Sequence, residues 1–348
     1  MVFSMHLLLA AAIECWLPEL RDPEYGMRWK RLRQRSVNGP VPPFTITMFG
    51  SSRTTLGFRA SDMERLLSEA LNRPVVVFNF GITGGGPVTE LLTLRRLLAH
   101  GVCPDLVLLE VMPPFLTGKF GHEFLRLPAH RLWLEDLPLV ERYGGPGLEL
   151  RNEWWQCWFE PWHAHRFALV SRAVPILLPF QLRMDWLNGM DDSGVVPGLK
   201  KRLSAEDLRR GTEGAIREYG EFFAASRLEP ASCRAWIDLL ELCREHGVKA
   251  ALVLMPEGSA FRARYNPEVW RQIKDFLDAL SRTYKAPVIN AREWIEDDGF
   301  FDSHHLIIPG AITLARRLSR EGVLPLLQDW TLGTSPGQMP SLGSGCRK

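Results

Sequence analysis

Residues 44–57 have the sequence FTITMFGSSRTTLG. Thr45–Phe49 is short and mostly apolar, and Gly50 follows it, which predicts a buried β-strand that ends in a turn. The same pattern occurs at four more places along the chain. The five predicted strands are Thr45–Phe49, Val75–Phe80, Leu106–Val111, Ala250–Met255 and Pro287–Ile289.

Helical patterns separate these strands. Between the first two lies Ser61–Leu71, where Ser61 and Glu64 predict a capping box at the start of an amphipathic helix. Strands that alternate with helices are joined by right-handed crossovers and form a parallel sheet covered on both faces. The sequence therefore predicts an α/β fold, a three-layer α/β/α sandwich with a five-stranded parallel sheet. Two further predicted helices are Thr89–His100 and Ala231–His246, the second closed by Gly247.

One long stretch, residues 113–230, interrupts this alternation between the third and fourth strands. It is much longer than a crossover requires, and we interpret it as an inserted cap beside the carboxyl edge of the sheet, where open α/β sheets bind ligands. Domain organisation is thus an α/β domain over residues 41–330 and a tail, 331–348, whose Gly, Ser and Pro content predicts disorder. The cap carries Trp133, Trp154, Trp155, Trp158, Trp162 and Trp186.

Residues 1–40 predict an N-terminal helical segment. Val2–Ile13 is mostly apolar but too short to span a bilayer, and no Lys or Arg precedes Arg21, so a secretory signal is not indicated. If the segment is the remnant of an anchor, the basic run from Arg28 to Arg35 favours a cytoplasmic body. Membrane association of the N-terminus stays open, and with it a cytoplasmic, membrane-associated or exported location.

The amino-acid composition excludes disordered, collagen-like and coiled-coil proteins. The chain has 348 residues, 46% of them hydrophobic and 24% charged, as in soluble globular proteins. Its 42 basic and 40 acidic residues nearly cancel, so the whole-chain charge gives no argument for nucleic acid or for an anionic membrane surface. Six scattered cysteines without a CxxC pair predict neither a disulfide scaffold nor a metal site. The glycine run 81–86 lacks nucleotide-binding spacing, so no cofactor is predicted and a nucleotide-dependent enzyme is a minor alternative.

Polar residues that carry chemistry follow the first and last strands. A serine at a strand-to-helix turn places its hydroxyl near free backbone N–H groups, and it becomes a nucleophile when a base takes its proton. Ser52 is the candidate nucleophile, with Ser51 as its rival. His305 is the candidate base, with His304 as its rival, and Asp302 would orient the imidazole.

These motifs resemble the SGNH/GDSL hydrolase superfamily of serine esterases and lipases, in the branch whose first block is GSSR. The resemblance places the nucleophile at Ser52, an oxyanion-hole glycine at Gly84, and the last block, Asp-x-x-His-Leu, on Asp302 and His305. It implies a flavodoxin-like sheet, no metal, and an oxyanion hole formed by the backbone N–H groups of Ser52 and Gly84. Ser51 replaces the aspartate usual in the first block.

The third block of that family departs further. Gly-x-Asn-Asp should follow the third strand, but residues 110–115 are Glu-Val-Met-Pro-Pro-Phe. The side-chain donor is therefore missing, and the loss of one oxyanion donor costs about 10²–10³-fold in rate. We expect Arg53 or Asn79 to fill this role. Glu257, after the fourth strand, is expected either to bind substrate or to cap the next helix.

The resemblance implies a metal-independent serine esterase, or an O-acyltransferase, that acts on an ester-linked acyl group. Carbohydrate O-acetyl groups are a substrate class suggested by the family, so the expected partner is a small-molecule or glycan ester and not a nucleic acid. The missing third-block donor motivates an alternative, a catalytically weak member of the fold that binds a glycan or a partner protein through its tryptophan-rich cap.

Overall fold

A computed structural model describes residues 2–37, 43–117, 123, 127–144, 149–179 and 182–332. One five-stranded sheet forms its centre, with every neighbouring pair of strands parallel and the order β2-β1-β3-β4-β5. The predicted α/β fold is confirmed. Most of the predicted disordered tail, from residue 333 onward, lies outside the described residues. The strands are β1 (Phe44–Gly50), β2 (Val75–Gly81), β3 (Leu106–Glu110), β4 (Lys249–Leu254) and β5 (Val288–Asn290).

Helices connect the strands and precede them. Before and between the first three strands lie α1 (Val2–Cys15), α2 (Pro18–Arg21), α3 (Pro23–Val37), α4 (Ser52–Gly57), α5 (Ala60–Leu71) and α6 (Pro87–Ala99). Between β3 and β4 lie α7 (Pro113–Thr117), α8 (Leu137–Gly144), α9 (Leu150–Phe159), α10 (Pro161–Ala164), α11 (Arg166–Ala173), α12 (Ala205–Glu218), α13 (Gly220–Phe223) and α14 (Pro230–Glu245). After β4 come α15 (Ser259–Arg262), α16 (Pro267–Tyr284), α17 (Ile308–Arg317), a π-helical turn (Leu318–Val323) and α18 (Leu324–Leu332).

Both faces of the sheet are covered, which is why its strands are apolar on both sides. Successive side chains of a strand point to opposite faces, and β2 illustrates this. Phe78 and Phe80 pack in the core that includes α6, α14 and α16. Val75 and Val77 pack in the core that includes α5 and α17. The sheet therefore separates two apolar cores and presents its carboxyl edge to solvent and to the loops.

The predicted capping box on α5 is wrong. The helix begins one residue earlier, and its N-cap, Arg59, makes no side-chain capping bond. Glu64 is used elsewhere: its carboxylate accepts hydrogen bonds from Arg35 at 2.6 Å and from the backbone N–H of Val77 at 2.9 Å. Because β2 is an edge strand, its outward N–H groups need partners, and this one takes the carboxylate that a capping box would have used.

The chain between β3 and β4 divides into two parts by its contacts. The tryptophan-bearing part packs α9 and α10 against α1. The later part reaches the last loop of the sheet, since Thr212 and Ser303 share a hydrogen bond of 2.7 Å between their hydroxyls. Of these two parts of the insertion, only the later one contacts the loop that carries the predicted base, among the residues described.

The N-terminal helices are attached to the α/β core by buried charges. Asp22 accepts hydrogen bonds from Arg131 at 2.7 Å and from Arg96 of α6 at 3.0 Å. Arg21 pairs with Glu14 at the end of α1. Within the described ranges, every helix is too short or too polar to cross a bilayer.

Candidate active site

The three side chains predicted to act together lie in one hydrogen-bonded chain at the carboxyl edge of the sheet. Ser52 is the first residue of α4, directly after β1. Its Oγ lies 2.7 Å from Nε2 of His305, and Nδ1 of the same imidazole lies 2.7 Å from Oδ2 of Asp302. A hydroxyl, an imidazole and a carboxylate within hydrogen-bond reach form the arrangement that activates a serine.

A sharp turn in the last loop places the carboxylate. Ser303 has a φ of +68°, a left-handed conformation that is uncommon for a residue with a side chain. Its carbonyl accepts the N–H of Gly258 at 2.7 Å, which helps to hold the turn. The turn brings the backbone N–H of His305 to 2.7 Å from Oδ1 of Asp302. The carboxylate thus fixes both the ring and the backbone of the same histidine.

The surroundings of Asp302 keep it charged. Burial alone would raise the pKa of this carboxyl, but the hydrogen bonds and nearby charge of His305 outweigh it and hold the pKa below its usual range. The His305 ring lies flat on Phe301, with ring centroids 5.2 Å apart and planes 8° from parallel. An anionic carboxylate behind a held imidazole can stabilise the imidazolium that forms when the ring takes a proton.

His304, the rival base, is placed differently. Its ring is buried and stacked on Phe261, and neither ring nitrogen hydrogen-bonds to any residue in the described part of the chain. Nδ1 lies 3.3 Å from Oδ1 of Asp302, but this is not an ion pair, because burial lowers the pKa of His304 to about 3 and the ring is neutral. His305 is the histidine that contacts Ser52.

The same loop brings together three side chains of the kinds that bind metal ions. One ligand atom each from Asp302, His304 and His305 lies within 4.8 Å of the others. The Asp302 carboxylate is already bonded to the His305 ring and backbone, so an ion at this place would compete for those atoms with the hydrogen bonds to His305. The absence of a metal requirement stays a prediction.

Glu110, at the end of β3, holds the turn that carries Ser52, and no motif in the sequence marks this role. Its carboxylate accepts the N–H and the hydroxyl of Ser51, both at 2.9 Å, and the hydroxyl of Thr54 at 2.6 Å. A Cβ on Gly50 would lie 2.3 Å from this carboxylate, so the turn requires glycine there. The Ser51 hydroxyl also accepts the N–H of Arg53 at 3.2 Å and caps α4. The rival nucleophile is therefore committed to structural bonds.

Arg53 and Asn79, the expected substitutes for the missing oxyanion donor, are structural instead. The Arg53 guanidinium is buried and donates to the carbonyls of Met255 at 2.9 Å and Pro256 at 2.8 Å. The Asn79 amide donates to the carbonyls of Thr54 and Phe58, both at 2.8 Å. These donors are occupied, and Arg53 Nε, which has no hydrogen-bond partner in the described chain, lies 3.7 Å from the buried Glu110 carboxylate, so the contacts argue against either residue as the oxyanion donor.

The structure also contradicts both roles expected for Glu257, substrate binding and helix capping. It is completely buried, and its carboxylate accepts hydrogen bonds from Arg292 at 2.7 Å and from the Tyr265 hydroxyl at 2.8 Å. It does not cap α15 either, because the N–H of Ser259 donates to Asp297 at 2.7 Å. Glu257 anchors Arg53 in the scaffold through an ion pair of 3.4 Å and has no exposed surface for substrate.

The two backbone N–H groups expected to form the oxyanion hole are free in the described part of the chain. Gly84 has a φ of +72° in the turn after β2, and Ser52 is the first residue of its helix, where the N–H has no partner within the helix. Neither N–H donates to another group in the part of the chain that the structure describes. Free N–H groups at a turn and a helix N-terminus are the kind of donor that stabilises a developing oxyanion.

Glu123 supports the turn that carries Gly84. One carboxylate oxygen, Oε1, accepts the N–H groups of Gly86 at 3.0 Å and Thr89 at 2.6 Å, at the start of α6. Burial raises the pKa of Glu123 to about 7. A carboxyl whose pKa is higher in the folded than in the unfolded chain stabilises the fold at low pH, and this contribution is lost as the pH rises through the folded value.

A Glu123→Gln variant is therefore expected to change the pH dependence of stability. The glutamine Oε1 can keep both hydrogen bonds and cannot ionise. Relative to this variant, the wild-type free energy of unfolding should fall between about pH 5 and about pH 9, as measured by urea denaturation at both values. Burial and the charges of Glu110 and Glu123 raise the pKa of Glu90, which is present in both proteins, so the difference reports Glu123 together with its effect on Glu90. An equal difference at the two pH values would contradict the assignment.

Tyr219 comes from the inserted segment and was not predicted. Its ring meets His304 edge-on, with centroids 5.2 Å apart, and it shares a buried cluster with Met112, two residues after β3. Its hydroxyl hydrogen-bonds to no side chain or backbone group in the ranges described above. Burial, followed by the charge of Glu218, raises its pKa, so the hydroxyl keeps its proton. No motif in the sequence marks this residue, since its position depends on how α12 and α13 pack.

Comparisons with known proteins give little beyond this geometry. No protein-family model matches the chain, and no curated protein sequence matches it. Among solved structures, the chain is similar to a mutant of the esterase AlinE4, with 11% identity and a TM-score of 0.32 over 85% of this chain and 96% of that one. It is also similar to BT4096, a gut microbial diltiazem-metabolizing enzyme, with 10% identity and a TM-score of 0.37 over 83% of this chain and 48% of that one. Similarity at this level carries no functional argument, and the function has to be argued from the site.

Proposed function

We propose that this protein is a metal-independent serine hydrolase of SGNH type that cleaves or transfers an ester-linked acyl group. The observation that supports this most directly is the pair of 2.7 Å hydrogen bonds joining Ser52 to His305 and His305 to Asp302. The rival serine and the rival histidine are both held in other contacts. An activated hydroxyl beside free N–H donors is suited to acyl transfer.

Ser52, His305 and Asp302 each have a defined role in the proposed reaction. The Ser52 Oγ attacks the ester carbonyl carbon while Nε2 of His305 takes the hydroxyl proton, and Asp302 stabilises the imidazolium. The carbonyl oxygen becomes an oxyanion that accepts the N–H groups of Ser52 and Gly84. When the carbon–oxygen bond to the alcohol breaks, His305 returns the proton to the leaving alcohol. Water, or a sugar hydroxyl in an acyltransferase, then attacks the acyl-enzyme carbonyl carbon and loses its proton to the same ring. The bond from that carbon to the Ser52 Oγ breaks, the acid or the new ester leaves, and His305 returns the proton to the serine oxygen.

Tyr219 is proposed as the third oxyanion donor. The family's third-block asparagine is missing, and Tyr219 packs in one hydrophobic cluster with Met112, in the segment that replaces that block. Its ring contacts His304, whose ring lies 3.9 Å from that of His305. A neutral hydroxyl that lacks a partner in the described chain is free to donate to a developing negative charge.

Removing that hydroxyl tests the assignment. A Tyr219→Phe variant is expected to lower kcat by about 10²-fold with little change in KM, because one donor to the oxyanion is lost and ground-state binding is not. Tyr25→Phe is the matched control, since its buried hydroxyl bonds to His100 at 2.8 Å, away from this site, and it should keep the wild-type kcat. A kcat within twofold of wild type for Tyr219→Phe would remove the residue from the mechanism.

The function itself is tested with activated esters. Purified protein mixed with p-nitrophenyl acetate should release a rapid burst of one p-nitrophenol per active site, followed by slower turnover, because an acyl-enzyme accumulates. Adding sugar alcohols separates the two forms of the proposal: a transferase produces an acetylated sugar, and a hydrolase produces only acetate. No release above the rate of heat-denatured protein, with acetyl and longer acyl esters alike, would contradict the proposal.

A further inference from the structure

The N-terminal helices and the tryptophan-bearing helices together expose an unusual amount of apolar surface. α1 packs against α9 and α10, α10 against α11, and α11 against the turn 175–177, so these elements adjoin one another. No charged side chain occurs in α1 before Glu14. We call this surface the apolar face and define it by Leu8, Trp16, Phe159, Trp162, Ile176 and Leu177, which are between 47% and 73% exposed.

A basic strip on α3 borders the apolar face. Lys30, Arg31 and Arg33 form ion pairs with no carboxylate in the described part of the chain, whereas Arg35 on the same helix pairs with Glu64. A cavity of about 390 Å³ is lined by Lys30 and Arg31 on one side and by Ala168 of α11 on the other. A second cavity is lined by Lys30, Arg33 and Trp16. Cations and apolar side chains therefore lie side by side.

The nearest acidic side chains do not cancel this strip. Glu14 is paired with Arg21, and Glu19, which lines both cavities, lies 3.5 Å from Arg172. Asp185 and Asp192 also line the first cavity and form no ion pair with a described residue, so two free carboxylates stand against Lys30, Arg31 and Arg33, and one net positive charge remains. It complements a partner that carries negative charge next to an apolar layer.

We propose that the apolar face docks this protein on the surface of an anionic phospholipid bilayer. Exposed Trp and Phe rings suit the boundary between headgroups and acyl chains, and Lys30, Arg31 and Arg33 would contact headgroup phosphates. α1 has 14 residues and is about 21 Å long, less than the bilayer core of about 30 Å. It would therefore lie in the plane of the interface and not cross it.

A second copy of this chain is the competing occupant of the apolar face. Protein–protein interfaces are depleted of lysine, and their centres are depleted of charge. In this protein Lys30 and Arg33 line one cavity together with Trp16 of the apolar face, and the lysine in particular favours the bilayer. Because the proposal does not involve Ser52, it holds or fails independently of the esterase function.

Vesicle flotation of the full chain tests the proposal. Wild type should float with vesicles of phosphatidylcholine mixed with phosphatidylglycerol and much less with phosphatidylcholine alone. An Ile176→Ser/Leu177→Ser variant should lose at least tenfold in affinity for the mixed vesicles, because apolar burial is lost. A Lys30→Gln/Arg31→Gln/Arg33→Gln variant should lose about fivefold per charge and most of the preference for the anionic lipid.

The matched control is Ile237→Ser, another exposed apolar residue, on α14, which should float like wild type. Circular dichroism and light scattering show whether each variant is folded and monomeric. The proposal is overturned if wild type floats with neither vesicle, or if both surface variants float as well as wild type. It is also overturned if wild type is a dimer that Ile176→Ser/Leu177→Ser separates without lipid, since a second copy then covers the face.

Discussion

Replacing Ser52 with alanine is expected to lower ester turnover by about 10⁴–10⁶-fold, because the nucleophile is lost and only the oxyanion donors and binding remain. The fold should not change, since the Ser52 side chain makes its hydrogen bond only to His305 among the described residues. The measurement is kcat/KM for p-nitrophenyl acetate, with the unfolding midpoint in urea as the check on stability.

Ser51→Ala is the matched control for this prediction. Its hydroxyl bonds to Glu110 at 2.9 Å and caps α4, so its loss should cost about 1 kcal/mol of stability while activity stays within about tenfold, the ordinary effect of a small shift in position. If Ser51→Ala were the inactive variant and Ser52→Ala the active one, the nucleophile would be Ser51 and the proposed geometry would be wrong.

Replacing His305 with alanine is expected to be nearly as damaging as the loss of the serine. Without the ring, nothing 2.7 Å from the Ser52 hydroxyl takes its proton, and groups that act as a unit fail together. A Ser52→Ala/His305→Ala double variant should therefore be no slower than either single variant. A double variant much slower than both would show that the two side chains contribute separately.

His304→Phe is the control for the histidine. The ring of His304 is neutral and stacked on Phe261 with planes 18° apart, and a phenyl ring can keep that packing. Turnover within about tenfold of wild type is expected, since this ring donates no bond to the reacting groups. A loss comparable to that of His305→Ala would mean that the relay of the proton runs through both rings.

The sheet was predictable because its signal is local. Each strand is a short apolar run ended by Gly, Pro or a polar residue, and all five predicted strands match the observed ones to within one residue at each end. The capping box failed because Glu64 was taken by the edge of β2 and by Arg35. A contact between residues distant in sequence outweighed a pattern of four neighbouring residues.

Some residues of the candidate site were likewise predictable from the sequence, and others were not. Ser52 begins α4 directly after β1, and Asp302 and His305 lie in the loop that follows β5. Parallel strands bring their carboxyl ends to one edge, so the meeting of these residues follows from topology. Arg53 and Glu257 were misassigned because a charged residue beside a site gives no sign of its own partner in the sequence. Glu110 and Tyr219 carried no motif. The role of Glu110 depends on hydrogen bonds between the end of β3 and the turn after β1, and the role of Tyr219 depends on the packing of the inserted helices.

The central claim is that the Ser52 hydroxyl is activated by the imidazole of residue 305. A fluorophosphonate probe reacts with such a hydroxyl and leaves a stable phosphonyl group, which mass spectrometry of the digested protein locates to a single residue. We expect one label per chain, on Ser52, and none on the His305→Ala protein under the same conditions. A wild-type chain that stays unlabelled, or a label on Ser52 that forms equally fast without the imidazole, would contradict the account.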